Sequence, residues 1–275
     1  MFSVLMALYK DESHIHLNEA LVSIWDSQTL RPAQIVLVND GPLTKELDKE
    51  LSHWQGIFGD VLKIIEFPVN RGLGAALNVG LEFCEFELVA RMDTDDVAFP
   101  ERFEKQINFL QGHPQVDILG SFVEEMTFEG DVIGIRKVPL SHNSIVSNLW
   151  ASPMVHPSIM LRRSRVLFSG NYDADYRRRQ DYELWFRCAE SGLRFENYPE
   201  PLLYYRFGAH THKKQSIKLA FEQALIGYRG ARRLDMPLHQ RLACFVPFVR
   251  SLLPSYAQHL VYRLLKPFDP RQKEK

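Results

Sequence analysis

Apolar runs and helical patterns alternate through the first hundred residues of the chain. Ser3 to Leu8, Ile35 to Val38, Leu62 to Phe67 and Glu87 to Met92 are short and mostly apolar, and read as strands. Ile15 to Trp25, a stretch from about Thr44, and Gly72 to Phe83 carry apolar residues at helical spacing; Glu101 to Leu110 follows as a helix entered through Pro100. Strands that lack polar alternation have both faces buried, so the pattern predicts an α/β fold, a Rossmann-like, mostly parallel central sheet flanked by helices. The ligand of such a sheet sits at the carboxyl ends of its strands. Those ends are Tyr9-Lys10-Asp11-Glu12, Asn39-Asp40-Gly41, Asn70-Arg71-Gly72 and Asp93 to Asp96, so polar residues collect along one edge. After Gly120 the pattern changes to shorter strands and long loops, with Phe128 to Val132 as a hairpin turn. From Lys213 onward, helical stretches broken at Pro237 and Pro254 follow. The organisation predicted is a catalytic-type domain over 1–211, in halves 1–100 and 101–211, with a C-terminal helical extension over 212–275.

With 275 residues, 45% of them hydrophobic, the chain can bury a substantial core. A formal net charge of −1 argues against a nucleic-acid binder. The charge is uneven, however: residues 212–275 carry +9 and residues 1–211 carry −10. Cys84, Cys188 and Cys244 are odd in number and set in apolar surroundings, which predicts reduced core thiols and a cytoplasmic protein. The first strand begins at once, without the zones of a signal peptide. The apolar tract Leu242 to Leu253 is interrupted by Pro247 and Arg250 and is too short to span a bilayer. Contact with a membrane would therefore be peripheral, from the cytosolic face and through the basic C-terminal helices.

The densest chemistry lies in Leu88-Val89-Ala90-Arg91-Met92-Asp93-Thr94-Asp95-Asp96, where a strand ends in three carboxylates within four positions. Like charges so close repel, and a hard divalent cation, Mg²⁺ or Mn²⁺, would relieve them. Such ions are commonly held by one or two carboxylates together with substrate phosphates. An isolated Asp-x-Asp is as readily a solvated turn, and its neighbours decide the matter.

Five motifs in order supply that context: Ser3-Val4-Leu5-Met6-Ala7-Leu8-Tyr9; Ile35-Val36-Leu37-Val38-Asn39-Asp40-Gly41; Asn70-Arg71-Gly72-Leu73-Gly74-Ala75-Ala76-Leu77-Asn78; Ala90 to Asp96 with Pro100-Glu101-Arg102; and Gln180-Asp181-Tyr182-Glu183-Leu184-Trp185. Over residues 2–211 the chain resembles the inverting family 2 glycosyltransferases of bacterial polysaccharide synthesis, which have the nucleotide-sugar-binding GT-A fold. The resemblance implies that 1–100 is the nucleotide-sugar half and 101–211 the acceptor half. It implies contacts from Tyr9, Asp40 and Arg71 to the uracil and ribose of a UDP-sugar, with Glu12 and Arg91 in the same binding set. Asn78 either contacts the sugar or anchors its loop, and Gly72 and Gly74 leave room beside the nucleotide. Asp93 holds ribose or metal and Asp95 the cation, Mn²⁺ or Mg²⁺. Asp181 matches the catalytic base, at a helix N-terminus that favours the ionised carboxylate; the family's usual Glu-Asp is Gln180-Asp181 here. Trp185 either stacks on an acceptor sugar or belongs to the core. Val155-His156-Pro157-Ser158 and Tyr204-Tyr205-Arg206-Phe207-Gly208 resemble parts of the acceptor cleft, and His210 and His212 lie where some GT-A enzymes place a further metal or phosphate ligand.

The activity implied is transfer of a hexose, glucose or galactose, from a UDP-sugar to a lipid-linked or polysaccharide acceptor, giving a β-linkage from an α-linked donor. One rival is a sugar-1-phosphate nucleotidyltransferase, which requires a glycine-rich basic loop where this chain has Tyr9-Lys10-Asp11-Glu12-Ser13. Another is a non-catalytic nucleotide-sugar-binding protein, against which Asp93, Asp95 and Asp181 together argue.

Overall fold

A computed structural model of the protein describes residues 1–207 and 217–253. His210, His212 and the chain after Leu253 lie outside the described residues. The first half is the predicted alternation: β1 (Ser3–Leu8), α1 (His14–Trp25), β2 (Gln34–Asn39), α2 (Lys45–Phe58), β3 (Leu62–Glu66), α3 (Leu73–Phe83) and β4 (Leu88–Arg91). Ser13 and Thr44 cap α1 and α2 by accepting from the His16 and Leu47 backbone N–H groups. The strands lie in the order β3-β2-β1-β4, all parallel, with Ser3 opposite Gln34 and Leu8 opposite Asn39. One apolar core lies beneath α1, α2 and α4 (Arg102–Gly112); a second lies beneath α3 and the helix that carries Asp181.

The second half extends the same sheet with mixed directions. Its elements are β5 (Val97–Ala98), α4, β6 (Ile118–Met126), β7 (Val132–Arg136), α5 (His142–Ser147), β8 (Met160–Arg162), α6 (Arg163–Phe168), α7 (Gln180–Glu190) and β9 (Phe195–Arg206). The order continues β4-β8-β6-β9-β5, and β7 completes the expected hairpin with β6. The strands here are not uniformly short: β6 has nine residues and β9 twelve. Pro199 and Pro201 hid β9 in the sequence, because a proline within a strand pattern argues against a strand. The ladder takes them where its register shifts, with Pro201 opposite Phe122.

Residues 217–253 are α8 (Ile217–Arg233), α9 (Leu238–Ala243) and α10 (Val246–Ser251). They are built into the protein rather than appended: Ile226, Ala231, Met236 and Cys244 share one core with Leu184, Trp185 and Phe186 of α7. The helices meet closely, since a Cβ on Gly230 would come within 2.2 Å of the Phe186 ring and one on Gly227 within 2.4 Å of the Tyr182 hydroxyl. Gly230→Val is therefore expected to destabilise the protein by about 1–3 kcal/mol through overpacking. Urea unfolding checks this as a lower midpoint with an unchanged slope. All three cysteines are buried and free.

Candidate active site

The end of β4 turns over the end of β1, with Met92 N–H bonded to Leu5 O at 3.1 Å. Beyond that turn a carboxylate oxygen from each of Asp93, Asp95 and Asp96 lies within 4.8 Å of the others. Asp96 is fully buried; its Oδ1 accepts the Arg206 backbone N–H at 2.8 Å, and its Oδ2 has no protein partner. Burial first, and then the Asp93 charge, pushes the Asp95 carboxyl up to about 7. Burial and the two neighbouring aspartates hold Asp96 well above the usual carboxylate range. Converging oxygens, a buried orphan acceptor and carboxylates that resist ionisation fit a hard divalent cation.

Arg206 fastens this loop to two other segments, the turn at Phe128 and α1. Its Nε donates to Asp95 O at 2.5 Å and its Nη1 to Phe128 O at 2.9 Å, and it pairs with Glu19 of α1. The resemblance places Arg206 in the acceptor cleft and gives Asp96 no individual role; the structure sets both at the carboxylate cluster. The third acid of the cluster was the available signal for Asp96, whereas the Arg206 side-chain contacts span 78 to 187 residues and leave no local pattern.

Beneath the cluster lie two buried arginines. Arg102 donates through Nη2 to Arg91 O at 2.7 Å and Pro157 O at 2.9 Å, so the Pro100-Glu101-Arg102 motif joins the β4 end to the His156–Ser158 turn. Burial pushes the Arg102 guanidinium down to about 9, against the opposing effect of Asp96. Arg91 pairs with Asp93 and is 1% exposed, yet its Nε and Nη1 have no protein partner. Beside Arg91, His156 Nε2 lies 2.9 Å from the Tyr172 hydroxyl, and burial followed by the Arg91 charge drives the imidazole well below its ordinary value, so it is neutral.

Asp181 is the second residue of α7 and is half-buried. The chain enters the helix through Arg179 at φ 62°, a left-handed conformation that costs a non-glycine residue about 1 kcal/mol or more. The helix N-terminus alone predicts a stabilised carboxylate, but burial outweighs it and raises the Asp181 carboxyl, opposed by Arg179, the Tyr182 N–H and Arg91. Arg91 thus acts electrostatically on both Asp93 and Asp181. Trp185, one turn on, is fully buried with its ring 5.8 Å from that of His156, so it belongs to the core and is no platform for an acceptor sugar.

On the nucleotide side, Tyr9 is half-buried at the end of β1, and burial, then Glu12 and Asp11, raise its hydroxyl; Asp95 contributes in the same sense. Asp40 is committed to the protein: Oδ1 accepts Arg71 N–H at 2.6 Å, and Oδ2 accepts Gly72 N–H and the Asn70 amide, each at 2.8 Å. It builds the turn that presents Arg71, whose guanidinium is exposed and lies 4.7 Å from the Phe67 ring centroid. Asn78 donates to Tyr172 O at 2.5 Å and its carbonyl accepts from Asn171 at 2.9 Å, which is the loop-anchoring arrangement. Gly72, at φ 95°, makes the tight turn. The room left by Gly74 is filled by protein, not by a ligand, since a Cβ there would lie 2.3 Å from Tyr176 O and 2.7 Å from Asp173 O. Arg177 also bonds Asn70. The loop before α7 is thereby stapled to the nucleotide half, which carries Asp181 towards the strand ends. Glu12 is half-buried just after the β1 end.

A mixed sheet with an acidic turn after its fourth strand, and a carboxylate brought over from a distant helix, is a glycosyltransferase architecture. Residues 3–167 match the model of Glycosyl transferase family 2, and the chain belongs to that family. It is 38% identical over 216 residues to the amylovoran biosynthesis glycosyltransferase AmsE of Erwinia amylovora, covering 78% of this chain and 79% of that one. It is 34% identical to the UDP-Gal:alpha-D-GlcNAc-diphosphoundecaprenol beta-1,3-galactosyltransferase of Escherichia coli, with 97% of both chains covered. Among solved structures, S. aureus TarS 1-349 in complex with UDP-GlcNAc has a TM-score of 0.65 at 19% identity, over 91% of this chain and 72% of that one. The mannosyltransferase PcManGT from Pyrobaculum calidifontis in complex with GDP-Man and Mn2+ has a TM-score of 0.61 at 14% identity, over 98% and 81%. These likenesses show the GT-A fold, and the family makes the protein a nucleotide-sugar-dependent glycosyltransferase, not a nucleotidyltransferase.

Proposed function

We propose that the enzyme transfers a hexose, galactose or glucose, from a UDP-sugar to a lipid-linked acceptor with inversion at the anomeric carbon, in the assembly of a cell-surface polysaccharide. One observation carries this reading: carboxylate oxygens of Asp93, Asp95 and Asp96 converge within 4.8 Å of one another at the end of β4, where a cation bound to a diphosphate would sit. The galactosyltransferase named above matches this chain over nearly its full length and supports both a UDP-sugar donor and a diphosphoundecaprenol-type acceptor.

In this reading Tyr9, Glu12, Asp40 and Arg71 line the base and ribose side. Arg71 offers its guanidinium to a carbonyl or phosphate. Asp40 acts mainly by shaping the Asn70–Gly72 turn. Asp95 and Asp96, with Asp93, would hold Mn²⁺ or Mg²⁺, which when bound neutralises the charge developing on the diphosphate as it leaves. Arg91 holds Asp93 in place from below. Asp181 takes the proton of the acceptor hydroxyl as that oxygen attacks the anomeric carbon from the face opposite UDP. Burial makes it a stronger base than a solvated aspartate. A β-linked product from an α-linked donor follows from that single displacement.

A panel of nucleotide sugars tested by thermal shift with Mn²⁺ checks the donor. UDP-galactose or UDP-glucose is expected to stabilise the protein by about 2.7 kcal/mol at a hundred times its Kd. Stabilisation by GDP-mannose alone would overturn the donor assignment. NMR of the product checks the stereochemistry, and an α-linkage from an α-linked donor would rule out inversion.

A further inference from the structure

The last described helices leave an apolar stripe uncovered. Phe245 and Phe248 lie 6.5 and 5.1 Å, ring centroid to ring centroid, from Phe221 of α8, and Cys244 is buried. Leu238, Leu242, Val246, Val249 and Leu252 recur every three or four residues and are 43–65% exposed. The spacing sets those within one helix on the same face, and five large apolar residues together are more than the scattered exposure of an ordinary surface. No helix among the described residues is long and apolar enough to cross a membrane.

Charge selects the occupant. The described helices over residues 217–253 carry six Lys or Arg against two acids, and Arg229 and Arg232 of α8 are exposed. A second copy of this surface would bring like charges together. An anionic bilayer supplies an apolar layer for the leucines and valines and negative headgroups for the arginines. We propose that α9 and α10 dock on an anionic lipid bilayer and lie in its interface without crossing it. Because α8 packs on α7 as well as on α9 and α10, docking sets the Asp181 helix at a fixed position relative to the bilayer. The use made of that placement, delivery of a lipid-linked acceptor, rests on the function proposed above; the docking itself does not.

Co-sedimentation of the full chain at low salt with vesicles of phosphatidylcholine, and with phosphatidylcholine–phosphatidylglycerol mixtures, tests the proposal. Binding is expected to the anionic vesicles and to weaken with salt. The double substitution Leu242→Glu with Val249→Glu is expected to lower partitioning on the order of tenfold or more, without changing Tm, because both side chains are exposed. Arg229→Glu with Arg232→Glu is expected to act in the same direction. Equal pelleting with neutral and anionic vesicles, unchanged binding by Leu242→Glu with Val249→Glu, or conversion of a dimer to a monomer by that pair would overturn it. Metal-dependent release of UDP from the donor, measured without vesicles, reads the active site separately. Lost vesicle binding with retained UDP release supports the docking surface, and a protein that neither prefers anionic vesicles nor releases UDP fails both readings independently.

Discussion

Asp181→Asn is expected to slow sugar transfer by about 10²- to 10⁴-fold while leaving donor affinity within about twofold. The amide is nearly isosteric with the carboxylate and keeps an oxygen to accept the Tyr182 backbone N–H, so α7 should start as it does now. It cannot take a proton at neutral pH. The loss should therefore fall on kcat and on kcat/KM alike, the signature of an interaction made only in the transition state. Calorimetric titration with UDP and steady-state transfer assays separate the two effects. Normal transfer by the variant would move the base elsewhere. The neighbouring acid Glu183 is a poor substitute, because both of its oxygens accept from Arg187 Nε, at 2.8 and 2.9 Å. Asp175, exposed on the loop before α7, would then be the next residue to replace.

How much of this could be read from the sequence depended on whether the signal was local. β1 and β2 were legible because burial on both faces makes them apolar without alternation, and neither contains an exposed residue. β9 was obscured by two prolines that only its ladder with β6 explains. The same division runs through the site. Asp93 and Asp95 stood out because acids cluster at a strand end, and Asp181 because its motif resembles that of the family. Arg102, His156 and Arg206 lie in motifs that resemble the family, but the contacts through which they act, to Arg91, Tyr172 and Glu19, lie 11 to 187 residues away in sequence and no spacing rule reveals them. Asp40 and Gly74 show the opposite difficulty: residues that a ligand would favour are held in this fold by demands of the chain itself. The packing of α8 on α7 was not legible because Gly227 and Gly230 read as neutral positions until the rings they accommodate are seen.

Asp95→Ala is expected to reduce transfer on the order of 10²-fold or more, because the departing diphosphate loses a major electrostatic stabiliser. Metal binding offers a second, activity-independent reading through pH. Burial and Asp93 hold the Asp95 carboxyl at about 7, against its ordinary value of 3.8. A carboxyl raised in this way opposes folding when ionised, so its contribution to the stability of the metal-free protein improves as pH falls through about 7 towards 4. A divalent cation must displace that proton, and below about pH 7 its apparent affinity should fall by roughly tenfold per pH unit for each proton released. The rise in Tm produced by Mn²⁺ should therefore be larger near pH 8 than near pH 6 in the wild type, and small at both values in Asp95→Ala. Equal shifts at the two pH values would separate the cation from this carboxyl. A full shift retained by the variant would assign the metal to Asp93 and Asp96 alone.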